Sequence, residues 1–176
     1  WWASDTAELF FDDVTVPAEN LIGQENGGFM VIMTNFLQER LMLCIMGAMT
    51  ARLALEQAMA YSREREAFGR SISGFQVTRH KLVDMATQVE LATQYTYHCA
   101  ALMDAGKAPV KEVAMAKNYT ASVAESVTRE AVQLHGGMGY MREAGVERLA
   151  RDARILAIGG GTTEGMKELI AKQMKL

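Results

Sequence analysis

The 176 residues are patterned as an all-α protein, an antiparallel up-and-down helical bundle preceded by a short β segment. Three observations point there. Long stretches lack Pro and repeat apolar residues at alternating spacings of three and four, the spacing of one face of an α-helix. Glycine clusters and one of the two prolines fall between those stretches, where helices must stop. Beyond the first 24 residues, nothing reads as a strand that could pair with the opening segment.

That opening segment is read as residual β structure. Leu9, Phe11, Val14 and Val16 fit one or two short strands, Pro17 stops the run, and Gly23 and Gly27-Gly28 mark turns. A strand pair alone is at best marginally stable. The chain is therefore expected to be a piece of a longer polypeptide whose sheet lies upstream, with residues 1–24 ending one domain and residues 25–176 forming a helical bundle domain.

Over 28–65 there is no Pro, and apolar residues such as Phe29, Ile32, Phe36, Leu41, Ile45, Met49 and Leu53 occur almost all round. At ~1.5 Å per residue this predicts a helix over about 50 Å long. It is too hydrophobic for one groove, so several neighbours, including other copies of the chain, are expected to cover it. A loop over 66–74 leads to a second helix over 75–105, where Leu82, Met85, Val89, Ala92, Thr96, Cys99 and Met103 form a bundle seam. Gly106 and Pro109 break it. A third helix over 110–134 carries Val113, Lys117, Thr120, Ala124, Val127, Ala131 and Leu134 in register, and its small residues permit close approach. His135-Gly-Gly-Met-Gly139 ends it with glycine caps. A short helix over 146–156 and the loop Gly159-Gly-Gly-Thr-Thr163 follow, with Thr162 or Thr163 as N-cap of a last helix through 175.

Composition removes several function classes. The net charge is −3 and no basic run stands out, which argues against nucleic acid or an anionic membrane surface as partner. The most apolar tract, 41–49, is shorter than the ~20 residues of a membrane span, so no span is expected. Cys44 and Cys99 lie in apolar helical patterns and read as buried, reduced thiols of a reducing compartment. His80, His98 and His135 have no ligand cluster at metal spacing, so no metal is expected and the three read as helix-surface or helix-end residues. Neither glycine cluster matches a dinucleotide fingerprint or a P-loop.

The ordered set of motifs is more specific. Arg65-Glu-Ala-Phe-Gly69 with Phe75-Gln76, then Ala131-Val-Gln-Leu-His-Gly-Gly-Met-Gly-Tyr140, Arg151-Asp-Ala-Arg154 and Gly161-Thr-Thr-Glu164 closely resembles the C-terminal helical domain of the acyl-CoA dehydrogenases. The opening, Ala3-Ser-Asp-Thr-Ala-Glu-Leu-Phe-Phe-Asp-Asp-Val-Thr-Val-Pro-Ala-Glu-Asn-Leu-Ile-Gly23, resembles the last strands of that family's middle β-domain. The resemblance implies a homotetrameric flavoprotein, a dimer of dimers, with FAD between β-domain and bundle. By it, Arg65, Phe68, Gln76, Gln133, Gly136 and Gly137 contact the FAD of a neighbouring subunit, and Thr162 and Glu164 approach the FAD of their own. Arg offers a forked cation to phosphate, Gln both a donor and an acceptor, and Gly close access to backbone N–H groups.

One expected side chain is missing. Most members of the family carry Tyr-Glu-Gly-Thr where this chain has Gly159-Gly-Gly-Thr162, and that Glu removes the α-proton of the acyl thioester. Gly160 cannot accept a proton. The isovaleryl-CoA and long-chain enzymes place the Glu on the first long helix instead, and Leu37-Gln-Glu-Arg-Leu41 matches their pattern, with Glu39 as the base. Its apolar neighbours Phe36, Leu37, Leu41 and Leu43 make a charge there costly without a role. Arg40 is its partner or a contact to CoA, Leu37 and Gly159 adjoin the acyl chain, and the Gly160 N–H holds the thioester carbonyl. The resemblance further implies an electron-transfer flavoprotein as acceptor, and location in a bacterial cytoplasm or a mitochondrial matrix. Two alternatives stay open at this point: a non-catalytic assembly module that lost its base, and a relative of the same fold that uses oxygen or another substrate.

Overall fold

The computed structural model describes Trp1 and residues 4–176. Trp2 and Ala3, the latter opening the segment likened to the β-domain, lie outside the described residues.

Helix α1 (Gly28–Glu64) spans 37 residues. The hairpin strands β1 (Glu66–Ala67) and β2 (Arg70–Ser71) follow, then α2 (Gln76–Asp104) and α3 (Val110–His135). A four-residue turn of helix, α4 (Gly137–Tyr140), precedes α5 (Val146–Ala153) and α6 (Thr163–Met174). The three long helices run up, down and up. Cys44, just before the middle of α1, shares a cluster with Cys99, near the end of α2, and with Val113 at the start of α3. At the opposite end Tyr61 of α1 stacks on His135 of α3 at 4.3 Å, and Lys81 of α2 pairs with Glu130 of α3 at 2.7 Å.

Alanine sets the spacing of the bundle. Ala51, Ala54 and Ala58 of α1 meet Met85, Val89 and Ala92 of α2 and Val123, Val127 and Ala131 of α3, with Val146 of α5 closing the cluster. Small side chains let helix axes approach toward the ~8 Å end of the usual range. At Gly47 even a methyl would press on α3, because a Cβ there would lie 3.1 Å from Thr120. The predicted seam of α2 is the buried face, from Met85 through Cys99. So is the predicted register of α3, including Lys117.

Two strand expectations fail for related reasons. Residues 4–27 form no strand among the described residues, only a 3-10 turn at Ala18–Asn20, and Leu9, Phe11, Val14 and Val16 are exposed. A strand needs a partner for its backbone groups, and this chain supplies none. The strands that do form lie in the stretch expected to be a loop, where Glu66 pairs with Ser71 and Ala67 with Arg70.

Helix α1 also exceeds its expectation. By length and hydropathy it could cross a membrane, the one such helix among the described residues. The apolar window that meets this test is only 6% buried, and the buried stripe, Cys44 through Ala58, is the part of the helix that forms bundle core. Its other faces leave Phe29, Met30, Ile32, Met42, Ile45, Met49 and Leu53 exposed, as the pattern of apolar residues all round predicted.

Candidate active site

Two glycine-bearing regions collect the predicted site residues, and they are built differently. The first forms where α1 and α3 end side by side. Arg65 caps α1 with its N–H bonded to Tyr61 O, and Gly136 ends α3 in a conformation with φ +57° and ψ −137° that suits only glycine. Arg65, Tyr61, Ile72, Gln133, Gly136 and Gly137 line a cleft of about 520 Å³. A Cβ at Gly136 or Gly137 would meet nothing within 4 Å, so the backbone here is open to an incoming group. His135 is removed from that role, buried with Nδ1 on Ala131 O at 2.7 Å.

Phe68 and Gln76 do not line this cleft; they lie in the hairpin and at the start of α2, which follow Arg65 in the chain. Phe68 and Gly69 occupy the hairpin turn with φ +53° and +78°, the left-handed pair that a tight hairpin requires. An aromatic residue rarely holds that conformation, and Phe68 is also 96% exposed, touching Phe75 edge-on at 6.3 Å. Gln76 opens α2 with its side chain exposed.

The second region is the loop 159–163. Gly160 and Gly161 have φ +67° and +107°. The positive φ opposes any other residue at both positions, and an added Cβ would also have to displace the tip of Leu43 at Gly160 or of Met166 at Gly161. The carbonyls are held from the bundle side: Arg40 Nε donates to Gly160 O at 3.0 Å, Lys117 Nζ to Gly161 O, and Asn118 Nδ2 to Thr163 O at 3.1 Å. Of the two candidate caps it is Thr162 whose Oγ1 accepts from Gly165 N at 3.1 Å, starting α6. Glu164 follows, exposed on the first turn of α6, where a helix favours an anion. Thr162, Thr163 and Glu164 border a second cleft of about 280 Å³ with Asn118, Ser122 and the Glu125–Arg154 ion pair.

These residues suit FAD in kind. The first cleft offers a cation, an amide and an uncovered glycine backbone, which suits a phosphate-bearing nucleotide. The second offers a hydroxyl-capped helix start and the buried Asn118 Oδ1, which has no partner among the described residues and could accept from a hydroxyl. The two clefts have different linings within one chain.

The expected base sits one residue from the loop's anchor. Arg40 also lies over the Phe36 ring at 5.2 Å, and burial holds its guanidinium below its ordinary pKa, an effect that the adjacent Glu39 carboxylate partly offsets. Glu39 itself is exposed, and its Oε1 accepts from Asn35 Nδ2. The premise that apolar neighbours enclose it is corrected by the helix geometry. Leu37 and Leu41 turn into the Cys44 cluster and Leu43 packs toward Ala124 and Leu156, while Glu39 faces the open side with Asn35 and Met42. Leu37 thus lies against core, and Gly159, bonded through its N–H to Ile155 O at 2.7 Å, lies on the loop. Lys117 was visible in the sequence only as a seam residue. A lysine at a core register position was the signal that it had an acceptor to reach.

Comparison with known proteins gives the family of this fold. The family model described as "Acyl-CoA dehydrogenase, C-terminal domain" matches residues 26–175. A probable acyl-CoA dehydrogenase of Bacillus subtilis, YngJ, is 40% identical over 171 residues, covering 97% of this chain and 45% of that protein. The mitochondrial long-chain specific acyl-CoA dehydrogenase of Mus musculus is 39% identical over 172 residues, 98% of this chain and 40% of that one. The crystal structure of a probable acyl-CoA dehydrogenase from Mycobacterium abscessus superposes with a TM-score of 0.91 at 51% identity, covering 93% of this chain and 44% of that chain. The chain therefore spans less than half the length of these relatives. Within that span, both by its helical bundle and by the match over residues 26–175, the chain belongs to the acyl-CoA dehydrogenase family, as its C-terminal domain.

Proposed function

We propose that this domain serves a flavin-dependent dehydrogenase that converts a saturated acyl-CoA to the trans-2-enoyl-CoA, with Glu39 as the base. The observation that carries the reading is the bond from Arg40 Nε to Gly160 O at 3.0 Å. It brings the turn of α1 that bears Glu39 against the loop in which the family's usual carboxylate is replaced by glycine. Glu39 takes the α-proton at a carboxylate oxygen, and the Gly160 N–H donates to the thioester carbonyl as negative charge develops on it. Bound FAD would supply acceptance of the β-hydride. Thr162 and Glu164 orient the cofactor of their own subunit, while Arg65, Phe68, Gln76, Gln133, Gly136 and Gly137 hold that of a neighbour. Leu37, Arg40 and Gly159 serve the substrate side, and an electron-transfer flavoprotein takes up the electrons. Residues 1–24 belong to the preceding β-domain, and the compartment is a bacterial cytoplasm or a mitochondrial matrix.

The test is Glu39→Gln in the full-length enzyme. The amide keeps shape and hydrogen bonding but cannot accept a proton, so anaerobic flavin reduction by acyl-CoA falls by about three orders of magnitude or more while acyl-CoA binding changes little. Near-normal reduction would remove Glu39 from the role. The glycine at 160 favours one second reading, a non-catalytic assembly module; it predicts that no acyl-CoA, straight or branched, bleaches the flavin of the unmodified protein. Assembly itself is expected in either case, because the exposed Met42, Ile45, Met49 and Leu53 of α1 need cover. Sedimentation of the 176-residue chain at micromolar concentration should show dimers or larger species, and a stable monomer would count against the dimer-of-dimers placement.

A further inference from the structure

We propose that Lys117 is a positioning residue for the reaction, a clamp on α3 that fixes the donor geometry of the glycine loop without touching substrate. The inference rests on the reading of that loop as the thioester-carbonyl site. Lys117 is 1% exposed and lies in the seam of α3, where an ammonium is costly unless hydrogen-bonded. No salt bridge to it is recorded among the described residues; its recorded hydrogen bond is to a backbone carbonyl, Gly161 O. The next carbonyl back, Gly160 O, is held by Arg40. Two cations from two different helices thus grip consecutive peptides of one loop.

That grip has a directional consequence. In a trans peptide the C=O and the following N–H point in opposite directions. With Gly160 O on Arg40 and Gly161 O on Lys117, the N–H groups of Gly161 and Thr162 are turned away from those cations. The Gly160 N–H belongs to the preceding peptide, whose carbonyl is bonded to neither cation; it is aimed indirectly, because that peptide joins an anchored one at Gly160 Cα, where φ is +67°. A run of three glycines has the widest choice of backbone conformations, so without an anchor its N–H groups would not hold one aim. Burial and three charged groups set the field at the ammonium. Burial lowers its pKa, Arg40 acts in the same direction, and Cys44 and Glu164 oppose it.

Why a lysine is kept in a core position is otherwise unexplained. A methionine would fill the same seam at less cost if packing were the only requirement. Glu39 and Arg40 sit on α1 and Lys117 on α3, so the clamp can be removed without disturbing the base.

The experiment uses the full-length enzyme with Lys117→Met, checked for flavin content and thermal midpoint. The probe is a trans-2-enoyl-CoA carrying 13C at the thioester carbonyl, whose infrared stretch moves to lower frequency when hydrogen bonds polarise it. The clamp predicts that Lys117→Met loses at least half of the parent's downshift, that anaerobic flavin reduction slows about tenfold to hundredfold, and that the acyl-CoA dissociation constant stays within about threefold. Lys117→Gln, which keeps an N–H donor, should recover part of the downshift, and it carries the test if the Met variant does not retain flavin. A full downshift with near-normal reduction in either variant overturns the clamp alone. An unshifted band in the parent enzyme overturns the thioester reading and the clamp with it.

Discussion

The two glycine regions have similar composition and opposite construction. At 136–137 the backbone is bare, and a Cβ would meet nothing within 4 Å. At 160–161 it is packed, with Leu43 and Met166 where the Cβ atoms would be and Arg40 and Lys117 on the carbonyls. Glycine in the first case leaves room for something from outside the chain. In the second it lets the chain fold onto itself in a conformation that other residues reach only with strain. An open site leaves its backbone free for the proposed contact to a neighbour's FAD, whereas a packed site is preorganised by the bundle, which is what the proposed donor to a developing oxyanion requires.

The largest effect tests whether the packed loop can regain a carboxylate. Restoring an acid at 160 in the Glu39→Gln background should by family precedent bring a base back to the same α-carbon. The structure makes this harder: φ at Gly160 is +67° and Leu43 Cδ1 would be 2.4 Å from the new Cβ. The double variant Glu39→Gln with Gly160→Glu should therefore stay close to the inactive single variant. Adding Leu43→Ala should raise flavin reduction at least tenfold by making room. Strong recovery in the double variant alone would mean that the loop is less tightly held than described.

Next in size is Gly161→Ala. With φ +107° and Met166 Cε at 2.6 Å from the added methyl, it combines backbone strain with overpacking and should cost about 3 kcal/mol. Denaturant unfolding of this chain measures it, and a loss under about 1 kcal/mol would show that Met166 simply swings aside.

Much of this was legible in the residues. The three long helices, their seams and the helix stops follow from apolar spacing and from Gly106, Pro109 and Gly136, because those signals are local. The hairpin at 66–71 was not, since its turn is Phe68-Gly69 and a Phe with positive φ carries none of the Asn or Asp chemistry that announces such turns. The strands read at residues 9–16 are the converse case, a local pattern that the chain cannot complete. At the site, Glu39 and the glycine loop were named from motifs, but their connection through Arg40 spans 120 residues and no periodicity encodes it. Lys117 showed its burial in the pattern and hid its partner, because a backbone carbonyl has no letter in a sequence.

A smaller effect separates bundle core from site. Burial, with the charge of Cys99 adding to it, pushes the Cys44 thiol up to about 12 from 9.0. The folded state thus keeps a proton that the unfolded chain releases above pH 9. That contribution to stability is fully present below pH 9 and is lost as pH rises toward 12, at about 1.4 kcal/mol per pH unit. Lys117 has the opposite slope, since its pKa is lowered on folding, and loss of Cys44, which raises that pKa, steepens the Lys117 slope and so acts in the same direction as loss of the thiol. The Cys44→Ala variant should show a shallower fall of stability between pH 9 and 11, measured by denaturant midpoints. Equal slopes would place the thiol in contact with solvent.

The smallest expected effect is the most informative about the open region. Gly137 begins α4, its φ is not positive, and an alanine methyl there would touch nothing in the chain. Gly137→Ala also narrows the unfolded ensemble, which stabilises by about 0.4–1 kcal/mol when the native conformation suits alanine. The unfolding free energy of this chain should therefore stay level or rise slightly, in contrast to Gly161→Ala. In the assembled full-length protein the same methyl would enter the space proposed for a neighbour's FAD, so flavin retention on dilution should fall severalfold while the chain itself is no less stable. Undiminished flavin retention would mean that nothing approaches the backbone at 137, and that the glycines at 136–137 serve only to end α3.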